Sequence, residues 1–259
     1  MRKEEENRKE SNLFEGIVSL RALLDAMSCG VSDRKIETVF YQKDKVESSR
    51  REYDWLLHTS EREGFSLTLC EREEIDAMTV GNTHGGIAVQ ATGRTLPFLT
   101  RETALPTENG GFYVMMEGVE DPYNFGYALR TFYAAGVDGV LLGQRNWMSA
   151  AGVVCRASAG ASELLPMYIG EGVEGASIMK EKGFAIVCAD LRESESVFDV
   201  SLRLPLLLIV GGEKRGISRA LLDCADRRVR LDYKRPFEGS LSAASAASVL
   251  AYEIFRQNR

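Results

Sequence analysis

The feature that most restricts the fold is a set of short runs that are apolar at every position. Phe112-Tyr113-Val114-Met115-Met116, Gly139-Val140-Leu141-Leu142, Ala185-Ile186-Val187-Cys188-Ala189 and Leu206-Leu207-Leu208-Ile209-Val210 carry no polar alternation. A strand with one face in water alternates between apolar and polar residues. A strand that is apolar throughout has both faces covered, as in a parallel sheet with helices above and below it. None of these runs approaches the roughly 18–20 apolar residues of a membrane-crossing helix. Helical patterns separate or follow them, from Ala128 to Ala135 and from Ser242 to Gln257. The expected fold class is therefore α/β, with a parallel-sheet domain over residues 109–259.

A smaller unit precedes it. Residues 1–11 are almost wholly charged or polar and read as a tail. From Gly16 onward, Ile17, Leu20, Leu23, Leu24 and Met27 recur at helical spacing. Thr38–Tyr41, Ser66–Leu69 and Gly86–Gln90 read as strands, with helices from Arg50 to a stop at Gly64 and from Glu71 to Met78. Residues 12–92 thus form a small alternating α/β unit. Gly93, Pro97 and Pro106, without periodicity, mark 93–108 as a linker.

Five scattered cysteines without a Cys-x-x-Cys pair, and only His58 and His84, argue against a disulfide framework and a structural zinc site. Met1-Arg2-Lys3-Glu4-Glu5-Glu6 leads into no apolar stretch, so no signal peptide is expected. The expectation is a cytoplasmic protein with reduced thiols, no membrane association and no metal. Its formal net charge of −6 does not favour a nucleic-acid partner, but charge is a sum that a local patch can oppose. Basic residues cluster at Arg34-Lys35, Lys43/Lys45, Arg50-Arg51, Lys214-Arg215, Arg227-Arg228-Arg230 and Lys234-Arg235. Such clusters suit either solvated surface or a phosphate-binding face.

Ligands of parallel sheets bind at loops leaving the C-terminal strand ends. Three segments stand out there. Glu120 to Arg130 places Asn124 and Arg130 around a helix start, where anions are attracted and an Arg can grip phosphate; ordinary capping by Asp121-Pro122 is the plainer alternative. Gly211-Gly212-Glu213-Lys214-Arg215-Gly216 follows the most apolar strand, and its glycines permit either close ligand approach or a tight turn. It matches neither Gly-x-Gly-x-x-Gly nor a P-loop. Glu238-Gly239-Ser240-Leu241-Ser242-Ala243 reads as a capped helix start with small residues.

In this order the three segments resemble the SpoU-type (TrmH-like) RNA methyltransferases of the SPOUT superfamily. Asp121, Pro122, Asn124, Gly126 and Arg130 match the family's Asp-Pro-x-Asn-x-Gly-x-x-x-Arg; Gly211, Glu213 and Gly216 match its Gly-x-Glu-x-x-Gly. Ser240-Leu241-Ser242 stands for its Ser-Leu-Asn before an Ala-rich helix, and Ser158 to Pro166 resembles another recurrent segment. Leu13 to Ala91, with His84-Gly85-Gly86-Ile87-Ala88, resembles the L30e-like substrate-binding domain of some members. The resemblance implies a C-terminal trefoil knot holding S-adenosylmethionine, a homodimer through the catalytic domain, and methyl transfer to a ribose 2′-hydroxyl of ribosomal or transfer RNA. It implies Gly211, Gly216, Leu231 and Leu241 around the cofactor, and Asn124, Arg130, Glu213, Ser240 and Ser242 around the reaction centre.

Three positions depart from the family pattern. Leu231-Asp232 replaces Ile-Pro, Ser242 replaces Asn, and Gly85 stands where Gln is common. Arg130 is read either as a base or, more easily for a guanidinium, which is a poor proton acceptor, as a phosphate anchor. The rival reading, motivated by Ser242 and Asp232, is an RNA-binding or ribosome-assembly protein that kept the fold and lost activity. A fragment beginning near Thr107 is expected to keep cofactor binding and lose most RNA affinity.

Overall fold

The computed structural model describes residues 12–81, 83–119, 121–144, 147–236 and 239–259; the charged segment expected over 1–11 lies outside them. The chain forms two compact units. One is Met1–Thr95 with Trp147–Leu164, and the other is Leu96–Asn146 with Leu165–Arg259.

The first unit runs β1 (Leu13–Glu15), α1 (Gly16–Ser28), β2 (Ile36–Gln42), α2 (Lys45–Ser48), α3 (Arg50–Glu63), β3 (Ser66–Cys70), α4 (Arg72–Met78) and β4 (Ile87–Ala91). Its sheet has the order β1-β4-β2-β3. Strands β2 and β3 are parallel, and β4 runs antiparallel to both β1 and β2. The apolar stripe anticipated on α1 is buried through Leu20 and Leu23, which join Phe14, Val39, Tyr41 and Leu56 in the core. Gly64 ends α3 in the left-handed region at φ 77°. Glu71 and Glu74 close a reciprocal capping box at the start of α4.

Trp147–Leu164, expected within the 109–259 domain, is part of this first unit. Two causes are visible. A Cβ on Gly152 would lie 2.0 Å from the Leu13 carbonyl oxygen, so only glycine lets this segment rest directly on β1. Ala151 and Cys155 then enter the core beside Phe14. The second cause is electrostatic. Arg34, read from the sequence as part of a surface cluster, is instead buried: its Nε donates to Glu163 Oε2 at 2.8 Å and its Nη1 to the Thr92 carbonyl at 2.7 Å. Glu163 is 0 % exposed, and its Oε1 has no hydrogen-bond partner among the described residues. Arg156 pairs with Glu15 at 2.5 Å in the same segment.

The second unit begins with β5 (Phe112–Glu117), α5 (Pro122–Ala134) and β6 (Gly139–Leu142). The chain then leaves for the first unit, where it forms a 3-10 turn, α6 (Ala151–Ala157) and α7 (Ala161–Leu164). It returns through β7 (Met167–Ile169), α8 (Gly172–Glu181), β8 (Ala185–Ala189), β9 (Glu195–Ser196), β10 (Leu206–Gly211), α9 (Arg219–Leu222), β11 (Arg227–Arg230) and α10 (Ala243–Asn258). The seven strands lie in the order β7-β6-β5-β10-β8-β11-β9, and every neighbouring pair is parallel. The apolar runs of the sequence are the inner strands, and Tyr113, Met115, Ile186, Cys188, Leu207 and Ile209 share one core cluster. Burial pushes the Cys188 thiol up to about 12. Buried Asp138 fixes the start of β5 by accepting the backbone N–H groups of Asn109, Gly111 and Phe112.

Strand order makes the site. From β5 the chain moves outward to β6 and β7, then crosses to β8, leaving a gap that β10 later fills. The order therefore reverses between β5 and β10, where the loops from their C-terminal ends part around a crevice. No helix among the described residues is long and apolar enough to cross a membrane.

Removing one partner of a buried ion pair leaves the other charge uncompensated, so Arg34→Ala should lower the stability of the first unit by about 3–5 kcal/mol. Arg34→Met combined with Glu163→Leu should restore most of that loss, because the apolar pair leaves no buried charge. Urea unfolding followed separately in each unit would measure both. By the same reasoning, a fragment starting at Thr107 would carry Trp147–Leu164 stripped of its core, and should bind a hydrophobic dye that the full chain does not.

Candidate active site

The loops after β5, β10 and β11 and the start of α10 converge at one end of the parallel sheet. Asp121 is the N-cap of α5 and accepts the Tyr123 N–H at 3.0 Å, with Pro122 in the first helical position. Capping is thus done by Asp121-Pro122, which frees Asn124 to reach across the crevice. Its Nδ2 donates to Glu213 Oε1 at 3.4 Å. The same oxygen accepts the backbone N–H of Ala243 at 3.3 Å. Glu213 therefore links the first turns of α5 and α10, and a carboxylate suits the positive end of a helix.

The loop carrying Glu213 is held by backbone. Gly212 donates its N–H to the Glu117 carbonyl and accepts the Gly216 N–H at 2.9 Å, while Glu117 Oε2 accepts the Ser218 N–H at 2.9 Å. A Cβ on Gly211 would lie 2.3 Å from the Gly216 carbonyl carbon, and one on Gly212 would lie 2.0 Å from the Gly118 oxygen. Glycine is required at both positions.

Beside this loop lies a cavity of about 290 Å³. Gly211, Gly216, Leu231 and Leu241, the four residues expected around a cofactor, all line it, as do Glu213 and Ser240. Asn124 and Ser242 are not among its walls but adjoin it through Glu213 and Ala243. Ser242 is the N-cap of α10: its Oγ accepts the Ser245 N–H at 3.2 Å and donates to Ser245 Oγ at 3.0 Å. Arg130 lies on the exposed side of α5, without a carboxylate or hydrogen-bond partner among the described residues. Glu120 and Glu238, at the margins of two of the sequence segments, lie outside the described residues.

Sequence reasoning missed several walls. Ala189, Asp190, Leu191 and Arg192 come from the C-terminal end of β8, and Tyr233 from the loop after β11. The β8 end carried a usable signal, since a wholly apolar strand ending in Asp190 points to the ligand side of a parallel sheet. Tyr233 carried none. Its hydroxyl accepts the Leu241 N–H at 3.1 Å and so ties together the segments that bear Leu231 and Leu241. Asp232, where proline was expected, is held below the usual carboxylate range by the Ser196 hydroxyl and by Arg230, 2.9 Å away.

The chemistry of the walls fits S-adenosylmethionine. Val210, Ile217, Leu231 and Leu241 offer apolar surface for a nucleoside, and Gly211 and Gly212 leave peptide groups bare for close approach. Asp190, Glu213 and Ser240 supply polar groups at the same cavity. Among the described residues no group of three or more His, Cys, Asp or Glu could hold a metal ion.

Comparison with known proteins places this geometry. The SpoU rRNA Methylase family model matches residues 111–252, more than half of the chain. The chain is 25% identical over 247 residues to "Putative TrmH family tRNA/rRNA methyltransferase YacO" of Bacillus subtilis, covering 93% of this chain and 95% of the relative. It is 29% identical over 217 residues to the 23S rRNA (guanosine-2'-O-)-methyltransferase RlmB of Bordetella pertussis, covering 83% and 88%. The crystal structure of an AdoMet-bound rRNA methyltransferase from Sinorhizobium meliloti shares the fold, with a TM-score of 0.76 at 22% identity over 97% of this chain and 90% of that one. The match of the family model over residues 111–252 makes the chain a member of the SpoU rRNA Methylase family.

Proposed function

We propose that this protein transfers a methyl group from S-adenosylmethionine to a ribose 2′-hydroxyl of ribosomal or transfer RNA. The observation that carries this reading is the cavity at the C-terminal ends of β8, β10 and β11, walled by Gly211, Leu231 and Leu241 and bordered by the Asn124–Glu213 contact. Relatives named as tRNA/rRNA and 23S rRNA 2'-O-methyltransferases support the substrate class, and the neighbour solved with AdoMet supports the cofactor. When bound, the sulfonium supplies an electrophilic methyl group, and no metal is needed to activate it.

The chain's own residues then have to place a hydroxyl in line with that methyl group, and positioning of this kind accounts for much of a rate enhancement. Glu213 Oε1 accepts two N–H groups, which suits a brace between α5 and α10 better than a free base. Arg130, exposed and without a carboxylate, is suited to grip the RNA phosphate beside the target ribose through a planar fork. Ser240, on the cavity wall, orients the reacting ribose. Ser242 serves the α10 cap, a task that Asn performs equally well, so this departure from the family pattern keeps the helix start intact.

In the same reading the chain after β10 is tied in the trefoil knot expected of the family; membership of that family supports it. The first unit serves as the substrate-binding domain, and the protein acts in the cytoplasm. The second unit pairs with another copy through α5 and α10. Tyr127 and Tyr133 on α5, and Val249, Tyr252 and Phe255 on α10, are large exposed apolar side chains on these two helices, which touch through Thr131 and Ser248 hydroxyls 3.0 Å apart.

Two substitutions test the assignment. Arg130→Ala should lower kcat/KM for RNA by about 10²–10⁴-fold, the loss of two charge-assisted hydrogen bonds, while S-adenosylhomocysteine affinity stays unchanged. Arg130→Lys should recover little, because an ammonium lacks the fork. Tyr233→Phe removes only the hydroxyl that holds Leu241, and should weaken S-adenosylhomocysteine binding by about 2–13-fold in calorimetry. Turnover at saturating cofactor should be unaffected by that change.

A further inference from the structure

The cations of the chain are not equally available to an anionic partner. In the first unit, the basic residues that cluster in sequence between 34 and 51 are largely matched by carboxylates. Lys43 pairs with Glu71 at 2.7 Å, Lys45 with Glu52 at 2.6 Å and Arg50 with Asp54 at 3.0 Å, and Arg34 is buried against Glu163. A close ion pair projects little net field beyond its own length, so these groups attract phosphate weakly. Much of the second unit behaves likewise: Arg227 pairs with Glu195, Arg228 with Glu193 and Arg230 with Asp232.

One place differs. Arg192, Arg215, Lys234 and Arg235 are exposed, and among the described residues none of their side chains has a carboxylate partner or hydrogen bond. One of the four is a wall of the cofactor cavity, and the other three are sequence neighbours of its wall residues. Arg192 lines it; Arg215 stands between Glu213 and Gly216, which line it; Lys234 and Arg235 follow Tyr233, which lines it. The acids nearby are engaged. Asp190 Oδ1 accepts the Arg192 backbone N–H at 3.2 Å, Glu213 holds Asn124 and Ala243, and Asp232 is matched by Arg230.

We infer that this rim of unmatched cations, and not the basic stretch of the first unit, supplies the phosphate attraction that brings RNA to the site. The inference rests on the reading of the protein as an RNA ribose methyltransferase, and names the surface that holds its substrate. A rim in this position has a direct consequence for chemistry. Phosphates flanking the target nucleotide are drawn to the cavity edge itself, so electrostatic capture and alignment of the ribose occur at one place. The first unit then contributes contacts of shape and base edge, which carry little salt dependence.

The experiment uses the full chain and a fluorescein-labelled single-stranded RNA of mixed sequence, titrated at several salt concentrations. For single strands, the slope of log affinity against log salt is about −0.7 per phosphate neutralised. Arg215→Gln/Lys234→Gln/Arg235→Gln should therefore flatten the slope by about 2, with S-adenosylhomocysteine binding by calorimetry retained as evidence of an intact cavity. Lys35→Gln/Arg51→Gln, which removes the two cations of the 34–51 stretch that lack a carboxylate partner, should leave the slope nearly unchanged. An unchanged slope in the triple variant overturns the assignment, wherever else a loss is found. Absence of methyl incorporation into ribosomal and transfer RNA by the wild-type protein, with the slope falling as expected, overturns the catalytic reading and leaves the RNA surface standing.

Discussion

Two loops that leave adjacent parallel strands approach each other backbone to backbone at Gly118 and Gly212, with the Gly212 N–H donated to the Glu117 carbonyl and no room for a side chain between them. That approach sets the position of the loop carrying Glu213. It in turn sets where α5 and α10 begin, since Asn124 and Ala243 both donate to the Glu213 carboxylate. The cavity walls at Gly211 and Gly216 belong to the same turn. Any residue larger than glycine at 212 would force apart the strands' ends, and the site would lose its registration even with every polar side chain present.

The parts of the fold legible in the sequence were those under the strongest burial constraint. Strands β5, β6, β8 and β10 are apolar along their buried length because both faces are covered. Strand β11 is Arg227-Arg228-Val229-Arg230, of which only Val229 is fully buried. Its charges are matched by Glu193, Glu195 and Asp232, so nothing local distinguishes it from a charged loop. The two-residue β9 is likewise too short to leave a pattern. The placement of Trp147–Leu164 in the first unit was illegible for another reason. Ala151 and Cys155 are apolar enough for either core, and the choice is made by a glycine meeting Leu13 and by a carboxylate meeting Arg34, a partner 129 residues away.

The candidate site was legible in its backbone-dependent positions and less so in its side chains. Gly211 and Gly216 follow a buried strand, where glycine suits a tight turn as well as close ligand approach, and it is the family resemblance that assigns them to the cofactor. Leu231 and Leu241 were reached only through family resemblance, and the cavity unites them. Arg130 remains apart from the groups it is expected to serve, exposed on α5. Tyr233 shows the limit of pattern reading. Its place in the site comes from a hydroxyl that meets a main-chain N–H eight residues on, across a loop whose conformation periodicity does not encode.

The insertion of a central segment into the first unit also orders events during synthesis. Phe14, Leu20 and Val39 emerge early, but the unit they belong to is complete only when Leu164 has been made, roughly seventy residues after Thr95. At about 5–20 residues per second that interval is on the order of 3–14 s. Through it Arg34 has no Glu163, and the face of β1 that Gly152 will cover is open to other chains. A protein whose N-terminal unit must wait for a segment from the middle of the chain leaves its first-made core open for longer than its modest length would suggest.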